Sequence, residues 1–130
     1  MIQDRNREQV ENLIETLKEE ESALILVEGH HDIEALHNLG ITHEMMTVSG
    51  KRLFDDFSLF EGKNIIILTD FDRTGRILFQ KLREELEVMG YAPNIYYWVN
   101  LKKLTKGYIK AIEELDTYFM QQEKVLSHNM

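Results

Sequence analysis

The alternation of apolar and polar positions divides the chain into helical and extended segments in a regular order. From Asp4 to Glu20 the apolar residues Val10, Leu13, Ile14 and Leu17 recur at i, i+3, i+4 and i+7, with acids and Lys18 elsewhere. This spacing predicts an amphipathic helix whose apolar stripe covers a sheet. Ala23-Leu24-Ile25-Leu26-Val27 is apolar at every position, as expected of a strand buried on both faces in a parallel sheet. After Glu28-Gly29, Asp32 is expected to cap a short helix that carries Ile33, Leu36 and Leu39 and closes at Gly40. Met45-Met46-Thr47-Val48 forms a shorter second strand, and Leu53, Phe57 and Phe60 mark a short helix broken by Gly62. Asn64-Ile65-Ile66-Ile67-Leu68 is the third strand, and the helix beyond Asp72 runs to about Met89 before Gly90. Ile95-Tyr96-Tyr97-Trp98-Val99, behind Pro93, reads as a fourth strand at a sheet edge. From Thr105 to about Val125 a closing helix is expected, with Tyr108, Ile112, Leu115 and Phe119 on one face.

Strands that alternate with helices predict an α/β fold with a parallel sheet and helices on both faces. The expected organisation is a single domain over residues 1–130 with its core at about 22–100. Right-handed crossovers leave few topologies. With the first strand beside the third, a four-stranded sheet takes the order 2-1-3-4. Its switch point then lies between the strands that run into Glu28 and Asp70, where open α/β sheets bind ligands.

Composition narrows the functional classes. The 130 residues are 43% hydrophobic and 29% charged, as in an ordinary globular protein. There is no cysteine, so neither a disulfide framework nor thiolate chemistry is available, and a cytoplasmic location is expected. No apolar run reaches the length of a membrane span, and Met1 to Asn12 lacks a signal-peptide pattern. The formal net charge of −8 speaks against a surface that holds duplex DNA by charge alone. A phosphate-bearing substrate would need a metal ion or a local basic cluster.

The candidate chemistry lies at the strand ends. In Asp70-Phe71-Asp72-Arg73-Thr74-Gly75 the two carboxylates alternate with Phe71, so they can share one side of the extended chain. Glu28, followed by Gly29, stands at the corresponding end of another buried strand. Three carboxylates in one cleft repel one another, and a divalent cation removes the conflict. Mg²⁺ takes hard oxygen ligands, often one or two carboxylates plus waters and substrate phosphate. Asp70 and Asp72 suit that role, while Glu28 suits a second ion or general acid–base work on a phosphoester oxygen. Lys51 and Arg52 after the second strand, and Arg73 beside the acids, are candidate phosphate-binding residues.

Val27-Glu28-Gly29 with Asp32, and Asp70-Phe71-Asp72 with Gly75, resemble the two signature motifs of Toprim domains. These domains are shared by topoisomerases, bacterial primases, some nucleases and recombination-repair mediators. The resemblance spans about Ala23 to Val99, and the length is most similar to the small stand-alone Toprim proteins. It implies a three-layer, Rossmann-like fold. It also implies phosphoryl transfer or phosphodiester chemistry on nucleic acid that depends on Mg²⁺, with Mn²⁺ as a substitute. Glu28 would be the general acid or base, Asp70 and Asp72 metal ligands, and Gly29 and Gly75 turn residues. DNA or RNA is the expected partner, met directly or through a partner protein, and no membrane is involved. A full topoisomerase or primase is not expected at this length. The alternative is a non-catalytic metal- or nucleotide-binding module within a larger nucleic-acid-processing complex.

Overall fold

A computed structural model of the chain describes residues 4–48, 57–117 and 119. Their elements follow the order α1 (Asp4–Lys18), β1 (Ala23–Val27), α2 (His30–Asn38), β2 (Glu44–Thr47), a 3₁₀ turn (Phe57–Leu59), β3 (Asn64–Ile67), α3 (Arg73–Val88) and α4 (Tyr96–Leu104). The three strands pair in parallel in the order β2-β1-β3. All five residues of β1 are buried, so both faces of the central strand are covered, as its unbroken apolar run requires. One continuous apolar core joins Val10, Leu13, Ile14 and Leu17 of α1 to the strands, to α3 and α4, and to Ile112 and Leu115. Among the described residues no helix is long and apolar enough to cross a membrane.

There is no fourth strand among the described residues. Where it was expected, Asn94 makes an isolated parallel bridge to Ile66, with its N–H donating to Ile65 O, and the chain then turns into α4. The edge position beside β3 is thus marked by a single bridge. The buried residues of this stretch, Tyr97, Trp98, Leu101 and Thr105, fall at i, i+1, i+4 and i+8, which is a helical period. The β-propensity of the aromatic and branched residues yields to that period, because propensity is the weaker signal. Trp98 fixes the outcome. Its indole N–H donates to Thr69 O at 2.9 Å, and its ring stacks on Phe79 with centroids 3.8 Å apart.

The last helix also departs from the expectation. Thr105 to Tyr108 form turns, and helical backbone starts only at 113. Gly107, at φ +86, breaks the periodicity that Tyr108 and Ile112 suggested. The expected continuation to Val125 lies outside the described residues beyond 119.

Candidate functional site at the ends of β1 and β3

Parallel pairing sets Leu26 opposite Ile67, and the Leu68 N–H donates to Leu26 O at 2.8 Å. The chain segments leaving β1 and β3 therefore emerge side by side. Glu28 follows β1 directly, and its Oε1 accepts the backbone N–H of Asp70 at 3.1 Å. Two carboxylates 42 residues apart in sequence meet at this point, which the topology of the sheet anticipated.

The corner between β3 and α3 is tightly built. Phe71 is buried, Asp70 half-buried and Asp72 exposed, so the expected alternation holds. Asp72 is the N-cap of α3, and its Oδ1 accepts the Gly75 N–H at 2.7 Å. Thr69 Oγ1, fully buried, donates to Gly75 O at 2.8 Å. A Cβ on Gly75 would stand 2.1 Å from Asp70 O and 2.5 Å from Asp70 C, so no side chain fits there. Glycine at 75 is what lets the first turn of α3 lie against the backbone of Asp70. Gly29 differs. Its backbone is extended, φ −153 and ψ −179, and a Cβ there would meet nothing within 4 Å. The chain does not need glycine at 29 for its own turn.

Two further acids belong to the cluster. Asp32 was expected to cap α2, but that helix begins two residues earlier, with Gly29 as N-cap and Asp32 in the first turn. Buried at 6% exposure, Asp32 turns its Oδ2 back to accept the Gly29 N–H at 3.1 Å. Glu113 raises the carboxyl pKa values of both Asp32 and Asp70 by its charge. It lies 43 residues beyond Asp70, and no motif in the sequence singles it out. The link is the segment 110–112, which docks on the corner. The Phe71 N–H donates to Lys110 O at 2.7 Å, and the Ile112 N–H donates to Asp70 Oδ1 at 2.8 Å.

The electrostatics follow from this crowding. Burial raises the Glu28 pKa above the ordinary carboxylate value, and the charges of Asp70, Asp72 and Asp32 add to the rise against the Asp70 N–H hydrogen bond. Burial likewise raises Asp70, helped by Asp72 and Glu113 and opposed by hydrogen bonds from Ile112 and with the Glu28 carboxyl. Burial raises Asp32, with Asp70 and Glu113 adding to it. Close carboxyls of this kind titrate as a group, and a cation among them would relieve the repulsion.

The donor set fits a hydrated cation better than an enclosed one. Among the described residues no three carboxylate or imidazole groups surround a common point closely enough to hold a metal outright. The backbone holds one oxygen of each of Glu28, Asp70 and Asp72, and the Glu28 and Asp70 carboxyls also hydrogen-bond to each other. Mg²⁺ commonly keeps several waters and takes only one or two carboxylates, so Asp70 and Asp72 would suffice to hold it, with Glu28 beside them.

Of the remaining candidates, Arg73 is exposed at the start of α3 and lines a cleft together with Asp72. Lys51 and Arg52 lie outside the described residues.

Comparison with known proteins agrees with this geometry. The Toprim domain family model matches residues 23–102. A UPF0292 protein of Thermococcus kodakarensis is 39% identical over 104 residues, covering 79% of this chain and 77% of the relative. A UPF0292 protein of Methanocaldococcus jannaschii is 33% identical over 122 residues, covering 91% and 95%. Among solved structures, a protein from Aquifex aeolicus superposes with a TM-score of 0.69 at 35% identity, covering 79% of this chain and 94% of that one. With both motif strands ending at one acidic corner and the family match running from the first of them into α4, the chain belongs to the Toprim-domain family and to its small UPF0292 members.

Proposed function

We propose that the protein carries out Mg²⁺-dependent phosphoryl transfer on phosphodiesters of nucleic acid, with Glu28 as general acid or base and Asp70 and Asp72 as metal ligands. Membership of the Toprim family ties the chain to nucleic-acid-related, metal-dependent activity in general. The observation that supports the finer reading is the meeting of Glu28 with Asp70 across the switch point of the sheet. A divalent cation bound there supplies charge neutralisation for a phosphate and polarises its oxygen. The chain's own residues do the rest. Glu28 is set beside Asp70, and burial raises its pKa, so it holds a proton at a higher pH than a free carboxyl and can give it to a leaving oxygen. Asp70 is fixed by the Ile112 N–H and Asp72 by the Gly75 N–H, so both present a set orientation without having to search for it.

The test is a screen of RNA and DNA strands with Mg²⁺ or Mn²⁺, wild type against Glu28→Gln. Cleavage or transfer by the wild type that disappears in a folded variant is the expected result; equal activity in the two removes Glu28 from the chemistry.

A second reading is a non-catalytic binding module. It is favoured by the structural work that the acids already do, since Asp72 caps a helix and Asp70 anchors the segment at Ile112. Calorimetry that shows Mg²⁺ and nucleotide binding, beside a screen without turnover on any strand, would select it.

A further inference from the structure

A cleft of about 710 Å³ opens beside Asp72, between the first turn of α3 and the end of α4 with the turn that follows. Its floor includes Phe71, Trp98 and Ile109. Six basic side chains line it: Arg73 and Arg76 from α3, and Lys102, Lys103, Lys106 and Lys110 from α4 and beyond. Asp72 is the single acid among the lining residues. In a chain of net charge −8 this concentration requires a cause. None of the six forms an ion pair with a described residue; of the six described lysines and arginines elsewhere, Arg7, Lys18, Lys63 and Arg83 are paired with glutamates, while Arg5 and Lys81 have no such pair among the described residues. Cations with no acidic partner among the described residues, gathered along one concave surface, are complementary to a polyanion.

We infer that this cleft is the track for a single-stranded nucleic acid, gripped through its phosphates and led past Asp72 to the acidic corner. Six cations exceed what one mononucleotide phosphate can engage, and they reach the space from α3 on one side and from α4 with the segment after it on the other, so a strand lying between the two sides meets them all. A duplex resting on the rim would engage one side. The aromatic floor does not supply base reading. Trp98 is 6% exposed, stacked on Phe79, with Lys102 Nζ 5.1 Å over its ring. Recognition is therefore through the backbone and indifferent to sequence. The inference deepens the proposed function and rests on it for the class of substrate, but binding in the cleft needs no metal.

Binding of fluorescent 16-nucleotide single strands is measured in EDTA as a function of salt. Each phosphate neutralised on a single strand contributes about −0.7 to the slope of log K against log salt, so six predict a slope of about −4. Lys103→Gln with Lys106→Gln, both exposed positions, should reduce that slope by about 1.4 and weaken binding about 25-fold at 0.1 M salt. Arg73→Gln with Arg76→Gln, on α3, should do the same. Lys18→Gln with Lys63→Gln removes equal charge away from the cleft and should leave most of the affinity. The inference is overturned if the wild type fails to bind at low salt, if the cleft variants bind like wild type, or if the control pair loses as much. It is equally overturned if AMP, or a duplex of the same length, binds as tightly as the single strand. A protein that binds strands in EDTA yet transforms none of them with Mg²⁺ keeps the track and loses the catalytic reading. Turnover without cleft dependence does the reverse.

Discussion

Replacing Gly75 with alanine and, separately, Gly29 with alanine should give opposite results, although both glycines follow acids of the two motifs. At 75 the added methyl would lie 2.1 Å from Asp70 O, 2.5 Å from Asp70 C and 2.9 Å from Asp70 Cα. These are backbone atoms at the end of the central sheet and cannot swing aside. Overpacking of this kind costs about 1–3 kcal/mol. The shift that relieves it also stretches the Gly75 N–H bond to Asp72, a cap worth about 1 kcal/mol, and the Thr69 bond to Gly75 O, worth about another. Gly75→Ala should therefore lose about 3–5 kcal/mol, a large part of the roughly 5–15 kcal/mol that holds a domain folded. At 29 the backbone is extended and the space open. The entropy gained by replacing glycine and the poorer N-cap oppose each other, so Gly29→Ala should stay within about 1 kcal/mol of wild type. Urea unfolding followed by circular dichroism measures both. With a slope of about 2 kcal/mol/M, Gly75→Ala lowers the midpoint by about 2 M. A Gly75→Ala variant within 1 kcal/mol of wild type, or equal losses at both positions, would refute the close approach at the β3–α3 corner.

Other outcomes follow from the same corner. Trp98→Phe leaves the buried Thr69 carbonyl without its donor and should cost about 1–3 kcal/mol by calorimetry, more than a surface aromatic exchange. Glu28, Asp32 and Asp70 have pKa values raised in the folded chain, so the folded state holds protons that the unfolded chain has released. Stability should then fall as pH rises from about 4 through the raised folded values, and Asp70→Asn should raise the melting temperature at pH 8 but not at pH 4. By the same linkage, Mg²⁺ at millimolar concentration should raise the melting temperature more at pH 8 than at pH 5, and this difference should vanish in Asp70→Asn.

The parts of the fold legible in the sequence were those with one strong signal. β1 and β3 are unbroken apolar runs, α1 and α3 have clean helical periods, and Gly40 and Gly90 close α2 and α3 with positive φ. Glu28 and Asp70 could be brought together because parallel topology alone forces adjacent strand ends to meet. The stretch at 95–99 misled because five residues of high strand propensity outweigh a period that becomes visible only when Leu101 and Thr105 are included. Glu113 was hidden because its place depends on the docking of 110–112 against Phe71 and Asp70, a contact made by backbone groups that carry no residue-type signature. The basic cleft was hidden by the net charge. A sum over the chain is silent on distribution, and Lys102, Lys103, Lys106 and Lys110 join Arg73 and Arg76 only once α4 lies beside α3.

In the proposed function, carboxylates at the ends of β1 and β3 share one hydrated ion. The position of Mn²⁺, a substitute for Mg²⁺ visible by anomalous scattering, tests it most directly in crystals grown with the ion. A peak is expected about 2.1 Å from an Asp70 carboxylate oxygen, beside Asp72, with Glu28 facing the same ion directly or through one water. An ion bound elsewhere, or none at the end of β3 at millimolar Mn²⁺, would contradict it.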